Sequence, residues 1–453
     1  MRKTFHYKTK KMVRAWWLCP VICLLICLIP TQVYPADSVR VNLQKAIDIA
    51  LSESPTMRIA NREVQTKKYY KSEQIAAFFP DVSLTASYQR TLKKQVMTME
   101  MGGQAMNIEV GTANNYVAGL SLSLPLVMPT MWYNMKLTNV EVELALEKAR
   151  SSKISLISEV KKAFYGVLLA QESYNVLLKN YKNVELTNKN ISDKYEQGMA
   201  SEFDKLRADV QLKNQKPAIT AAENGVKLAT MMLKVLIGVD INEPMAFEGK
   251  LADFEDQVLN EPIPDISSLN LSENTSLKQL DYSLRELELS KKMVITSACP
   301  TLVMGGTYQY MAMNNDFKFS EYNWIPYSYI GFSLNVPIVS WAGTSYKIKQ
   351  SKLSIETLND QRATLEKNLW VSITNSINNI TKASEDLTSN KETMIQAEKA
   401  YSIVQKQHEL GMATWLDLNS AELAMISSQL AYYQSIYDYI SAYAELNEVL
   451  GKE

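Results

Sequence analysis

Histidine and cysteine are almost missing from this chain of 453 residues, which has two His and four Cys. Glycine is scarce too, at 15 residues beside 14 prolines, about half its average usage. A chain so poor in helix breakers favours long uninterrupted helices over a loop-rich enzyme fold. Its 48 basic and 48 acidic residues cancel, so no basic field invites nucleic acid. A zinc site needs several His or Cys ligands at set spacing, and nothing here supplies them. A nucleophile system of the Ser-His-Asp or Cys-His kind would have to use His408, around which no motif is built. No P-loop or GxGxxG follows a strand pattern. A pair of carboxylates of the glycosidase kind is compatible with any chain this rich in Asp and Glu, but nothing localises one. No enzymatic activity, cofactor or metal is expected. Beyond the N-terminus, no apolar run reaches the ~18 residues of a membrane helix. Any membrane crossing by the rest of the chain must therefore use strands.

The N-terminus is different. Arg2, Lys3, Lys8, Lys10, Lys11 and Arg14 precede an apolar run from Ala15 to Pro30, and a small residue follows at Ala36. That is the order of a secretory signal peptide, expected over residues 1–36. Its loss removes six basic residues and no acidic one, leaving a mature chain acidic by six charges. Cys19, Cys23 and Cys27 go with it, so Cys299 has no intrachain partner. An exported protein without a disulfide must be held by packing or by oligomerisation.

The remainder reads as one unit built twice. Leu51-Ser52-Glu53 returns as Leu271-Ser272-Glu273, Pro80 as Pro300 and Tyr88 as Tyr308, each 220 residues on. Gly119-Leu120-Ser121-Leu122 returns as Gly331-Phe332-Ser333-Leu334, 212 residues on. Gly198 and Gly411, and the closing Leu236-Ile237-Gly238 and Val449-Leu450-Gly451, are 213 apart. Landmarks repeated in the same order define a tandem duplication. The expected division is a first repeat over 37–238, a linker over 239–270 and a second repeat over 271–453. The linker is broken by Pro244, Pro262 and Pro264 and is strongly acidic.

Each repeat opens with a helix, expected over 43–77 and 276–296, where apolar residues recur at steps of three and four. Strands follow after Pro80 and Pro300. Val82, Leu84, Ala86 and Tyr88 alternate with Ser83, Thr85 and Ser87, and Ile330, Phe332, Leu334 and Val336 alternate with Gly331, Ser333 and Asn335. A period of two with one apolar face is the strand signature. Two strands per repeat are expected, joined by long loops over 91–114 and 311–326. Tyr88, Tyr308, Tyr310, Tyr327 and Tyr329 would suit an aromatic girdle at a membrane interface, although a soluble sheet alternates in the same way. Two helical hairpins come next, over about 131–195 with 202–237 and about 346–409 with 415–450. Ile157, Val160, Phe164 and Val167 keep the spacing of a coiled-coil seam. Helices near 95 Å at 1.5 Å per residue cannot surround a single globular core.

Each hairpin turns at a glycine. Gly198, Met199 and Ala200 precede Ser201 and Asp204, and Gly411, Met412 and Ala413 precede Thr414, Trp415 and Asp417. The glycine suits a left-handed helix end, Ser201 and Thr414 suit N-caps, and an acid in the first turn gains modestly from the helix dipole. Four strands cannot close a barrel, and open strand edges are not tolerated in lipid. Three copies would pool about twelve.

NLQKAIDIALSESP, the junctions LSLPL and LNVPI, and above all YEQGMASEFDKLRADVQL and HELGMATWLDLNSAEL resemble the TolC family of outer-membrane efflux proteins, over about residues 40–453. The resemblance implies a homotrimer, mainly α with β. A 12-stranded barrel in outer-membrane lipid would continue as a periplasmic α-helical barrel. It also implies an exit duct of a tripartite efflux or type I secretion system, fed through a periplasmic adaptor protein by an inner-membrane pump. Gly198, Met199, Ala200, Asp204, Gly411, Met412 and Ala413 would then lie in the docking tips, and Trp415, Asp417 and Ser420 at the periplasmic constriction. The chain departs from the family's pattern at three positions. Ser420 stands where some members carry a second acid, Ala413 where some carry an arginine, and His408 where tyrosine is common. Closure by packing, through Trp415, is expected in place of a salt-bridge lock. The competing reading is a periplasmic or surface coiled-coil scaffold without channel activity.

Overall fold

The computed structural model describes residues 39–101, 104–255, 262–338 and 341–453, so the expected signal peptide lies outside the described residues. Strand β1 (Val39–Val41) leads into helix α1 (Leu43–Glu53) and helix α2 (Pro55–Ala76). The single helix expected over 43–77 is thus two. Ser54 closes α1 and caps α2, accepting from the Thr56 amide, and Pro55 starts the new helix, where its missing N–H is harmless.

Strands β2 (Asp81–Arg90), β3 (Gln95–Met101), β4 (Gln104–Val110) and β5 (Asn114–Val127) follow. Helix α3 (Pro129–Glu196) runs 68 residues, about 100 Å, and α4 (Glu202–Ile237) returns over 36. The linker contributes β6 (Met245–Phe247), which pairs parallel with β1. The second half repeats the order with α5 (Thr275–Thr296), β7 (Thr301–Asn314), β8 (Ile325–Asn335), α6 (Trp341–Glu409) and α7 (Trp415–Leu450). No described helix is long and apolar enough to cross a membrane.

The principal sheet has the antiparallel order β2-β5-β7-β8. Its register aligns Leu84, Leu120, Tyr308 and Ser328 across the strands, and Val82, Leu122, Gly306 and Ile330 beside them. One face is therefore apolar, with Leu84 and Ile330 each 76% exposed. The other carries Ser83, Ser121 and Thr307, and the Ser83 and Ser121 hydroxyls bond at 2.7 Å. Tyr329 pairs with Thr307 and Tyr327 with Gln309, so these two tyrosines lie on the polar face and not in the expected girdle. Tyr88 and Tyr308 keep apolar-face positions. The loop expected over 91–114 contains the separate hairpin β3–β4.

Helix α3 packs on α4, α2 and α5, and α6 packs on α7 and α5. The core lies where these partners change. Phe164, Leu168, Leu233, Ile237, Leu251 and Ile436 are buried there beneath β6 and the linker. Glu255 of the linker clasps both members of the second hairpin, accepting from Tyr432 Oη and pairing with Lys391, each at 2.5 Å. The repeated closing glycines have a packing role. Gly238 and Gly451 are left-handed, at φ +82° and +73°, and a Cβ on either would strike the carbonyl of Glu53 or Glu273. Each return helix thus ends against the Leu-Ser-Glu landmark of its own half. Arg150 adds a bond of 2.6 Å to the Glu273 carbonyl and one of 3.3 Å to that of Gly451.

Candidate functional site: the paired hairpin tips

Both glycine turns are built alike, atom for atom. Helix α3 ends in a Schellman motif, in which the Met199 amide donates to the Lys194 carbonyl at 2.8 Å and that of Gly198 to Tyr195 at 2.9 Å. At the other tip, Met412 donates to Gln407 at 2.8 Å and Gly411 to His408 at 3.0 Å. Gly198 and Gly411 sit at φ +75° and +74°, where a side chain strains the backbone.

The next helix starts within three residues, through a capping box. Asp204 N–H donates to Ser201 Oγ at 3.1 Å, and Ser201 Oγ donates back to Asp204 Oδ2 at 2.6 Å. Asp417 N–H donates to Thr414 Oγ1 at 3.2 Å, while the Thr414 amide and hydroxyl donate to Asp417 Oδ2 at 3.0 and 2.5 Å. Those bonds, the hydroxyl's first, hold the Asp417 carboxyl below its ordinary range. Asp417 thus has a structural role as N3 acid, whatever else it does.

The tips expose apolar side chains. Met199 and Met412 are 68% and 70% exposed, and Phe203, Leu206, Leu410 and Leu416 are likewise exposed. Ala200 and Ala413 are half-buried, and Asp204, Asp417 and Ser420 are exposed. A single large apolar residue on a surface means little, but a cluster at both tips makes them a candidate contact surface.

The two hairpins also touch each other, through residues that the sequence reading did not connect. The Arg207 guanidinium of α4 stands 5.8 Å from the Trp415 ring and 6.0 Å from Phe203. Gln211 Nε2 donates to Asn419 Oδ1 at 2.9 Å, and His408 meets Trp415 edge-on at 6.0 Å. A cation of the other hairpin, Arg207, thus lies on Trp415, two residues beyond Ala413. Five residues beyond Asp417, Glu422 is buried against α3. It lies beside Asn180, and its Oε1 has no hydrogen-bond partner. Burial pushes its carboxyl up to about 7. No group of His, Cys, Asp and Glu suited to a metal occurs among the described residues.

The outer membrane efflux protein family matches residues 46–239 and 266–452. The chain is 20% identical to outer membrane protein TolC of Vibrio cholerae, over 83% of each chain. It is 21% identical to the alkaline protease secretion protein AprF of Pseudomonas aeruginosa, over 92% of this chain and 85% of that one. The open state of the MtrE outer membrane channel of Neisseria gonorrhoeae shares the fold, with a TM-score of 0.71 and 18% identity over 90% of this chain and 89% of that one. The chain belongs to the outer membrane efflux protein family, and it is an outer-membrane conduit with a periplasmic helical portion, not an enzyme.

Proposed function

We propose that three copies of this chain assemble into one exit duct, which takes substrates from a periplasmic adaptor and an inner-membrane pump and conducts them passively to the exterior. The observation that carries this reading is the sheet β2-β5-β7-β8. Among the described residues its outer strands β2 and β8 have no further strand beside them, and its apolar face is open. Joining β8 of one copy to β2 of the next satisfies every edge and yields about twelve strands, as a closed barrel in lipid requires. The polar face of Ser83, Ser121 and Thr307 then lines the lumen. Residues 37–238 and 271–453 act as quasi-equivalent repeats around the 239–270 linker, so six tips ring the periplasmic mouth of the trimer.

Gly198, Met199, Ala200, Asp204, Gly411, Met412 and Ala413 form the docking rim, its exposed methionines seated against adaptor hairpins. Trp415, Asp417 and Ser420 form the constriction. Arg207 on Trp415 supports closure by packing between neighbouring hairpins. Cysteine pairs scanned along β2 and β8, in a Cys299→Ser background, should crosslink trimers in the membrane fraction. Recovery of uncrosslinked protein from the soluble periplasm would favour the scaffold reading instead. Adaptor pull-down with Met199→Asp and Met412→Asp tests the rim, and undiminished capture would remove both residues from it.

A further inference from the structure

Hairpin β3–β4 is used by neither the sheet nor the tips. Its register sets Met99 opposite Met106 and Met97 opposite Ile108. Alternation therefore places Met97, Met99 and Met106 on one face. Thr98, Glu100, Asn107 and Glu109 lie on the other, where Thr98 Oγ1 donates to Asn107 Oδ1 at 2.7 Å. The two strands pack chiefly on each other, and the three methionines are 46%, 52% and 51% exposed. They are not core residues. A strand face chosen for apolarity alone would use β-branched residues, as the flanking Ile108 and Val110 do. The centre of this face is thioether instead.

Opposed residues in an antiparallel pair have Cβ atoms about 4.5–5.5 Å apart and diagonal ones about 7–8 Å. Methionine is unbranched and flexible, so three sulfurs on such a lattice can close on one point. Neutral thioethers are soft ligands that favour Cu(I) over oxygen-seeking cations, and Ag(I) shares that preference. Glu100 and Glu109 on the reverse face add negative potential without entering the ligand set. We propose that Met97, Met99 and Met106 form a binding site for a soft monovalent cation, Cu(I) or Ag(I). The site does not depend on docking or gating at the tips.

The test uses the full chain in detergent, with Cys299→Ser to remove the one free thiol among the described residues. Calorimetric titration with Ag(I) should show one saturable site per protomer. Anaerobic Cu(I) should give an X-ray absorption spectrum of thioether ligation. Met97→Leu/Met99→Leu/Met106→Leu, close to isosteric, should lose the site while keeping its circular dichroism and oligomeric state. Met231→Leu/Met232→Leu, which removes two methionines from α4, should keep it. Equal binding by the triple-leucine variant, or no saturable site in the parent, overturns the proposal. Should the parent bind no Ag(I) while Met99→Lys breaks trimers apart, the face is a contact between copies and the proposal fails.

Discussion

Replacing Glu422 by glutamine should stabilise the protein above neutral pH and leave it unchanged near pH 4. The side chain is 6% exposed and faces Asn180 on α3, with Tyr401 of α6 also within electrostatic reach. Among the facing groups named here none is a cation, and burial raises the carboxyl from an ordinary 4.5 to about 7. An acid with a raised folded-state pKa carries no penalty below pH 4.5. The penalty grows as pH climbs towards 7 and is complete above it. The gap of about 2.5 pH units, at 1.36 kcal/mol each, gives about 3 kcal/mol per protomer. Glutamine keeps the volume and a polar group beside Asn180 while removing the charge.

Native-state hydrogen exchange reads such a change where it occurs. At pH 8, amides around Asn180 and Glu422 should exchange about a hundredfold more slowly in Glu422→Gln than in the parent, since 1.4 kcal/mol is tenfold. At pH 4.5 the two should match once intrinsic rates are corrected. Equal protection at pH 8, or a difference that persists at pH 4.5, would refute the reasoning, because neither fits a charge confined by burial.

Gly451→Ala and Gly198→Ala should part company. Both lose about 1–2 kcal/mol to the left-handed backbone. Only Gly451→Ala drives a Cβ into the Glu273 carbonyl, adding about 1–3 kcal/mol, so with this variant the proposed trimer should dissociate at lower temperature on SDS gels. Asp417→Asn keeps an acceptor for the Thr414 amide, whereas Asp417→Ala loses the cap at about 1 kcal/mol. Both should raise the single-channel conductance of the reconstituted trimer, and an unchanged trace would remove Asp417 from the constriction. A double-mutant cycle of Arg207→Gln and Trp415→Leu should give a coupling of about 0.5–1 kcal/mol in thermal stability, and zero coupling would reduce the contact to coincidence.

The long helices were legible because their signals are local. Ser201 and Thr414 cap, Gly198 and Gly411 stop, and both return helices lie at their expected bounds. The strands were legible through alternation and the flanking Pro80 and Pro300. Two local signals went unread: Ser54-Pro55, a cap followed by a helix-starting proline, and Gly102-Gly103 between alternating runs, a hairpin cue. The rest could not be read locally. Arg207 with Trp415 and Gln211 with Asn419 each bring together residues some 208 apart. The burial of Glu422 depends on which face of α7 meets α3, and a helix apolar on several sides leaves that undecided. Tyr327 and Tyr329 differ, since their alternation with Ile330 and Phe332 already puts them on the opposite face of the strand.

The pinning of each half at its Leu-Ser-Glu landmark has a mechanical consequence. Arg150 ties α3 to the Glu273 and Gly451 carbonyls, and α3 then runs without a break to Glu196. That is about 70 Å of helix beyond a fixed point. A rod of this length held at one end is a lever. A tilt of about 5° at the fulcrum carries its free end sideways by about 6 Å at the same rise per residue. An aperture at the far end can therefore widen by several ångström while the core side chains Phe164 and Leu168, nearer the fulcrum, shift by only about 2 Å.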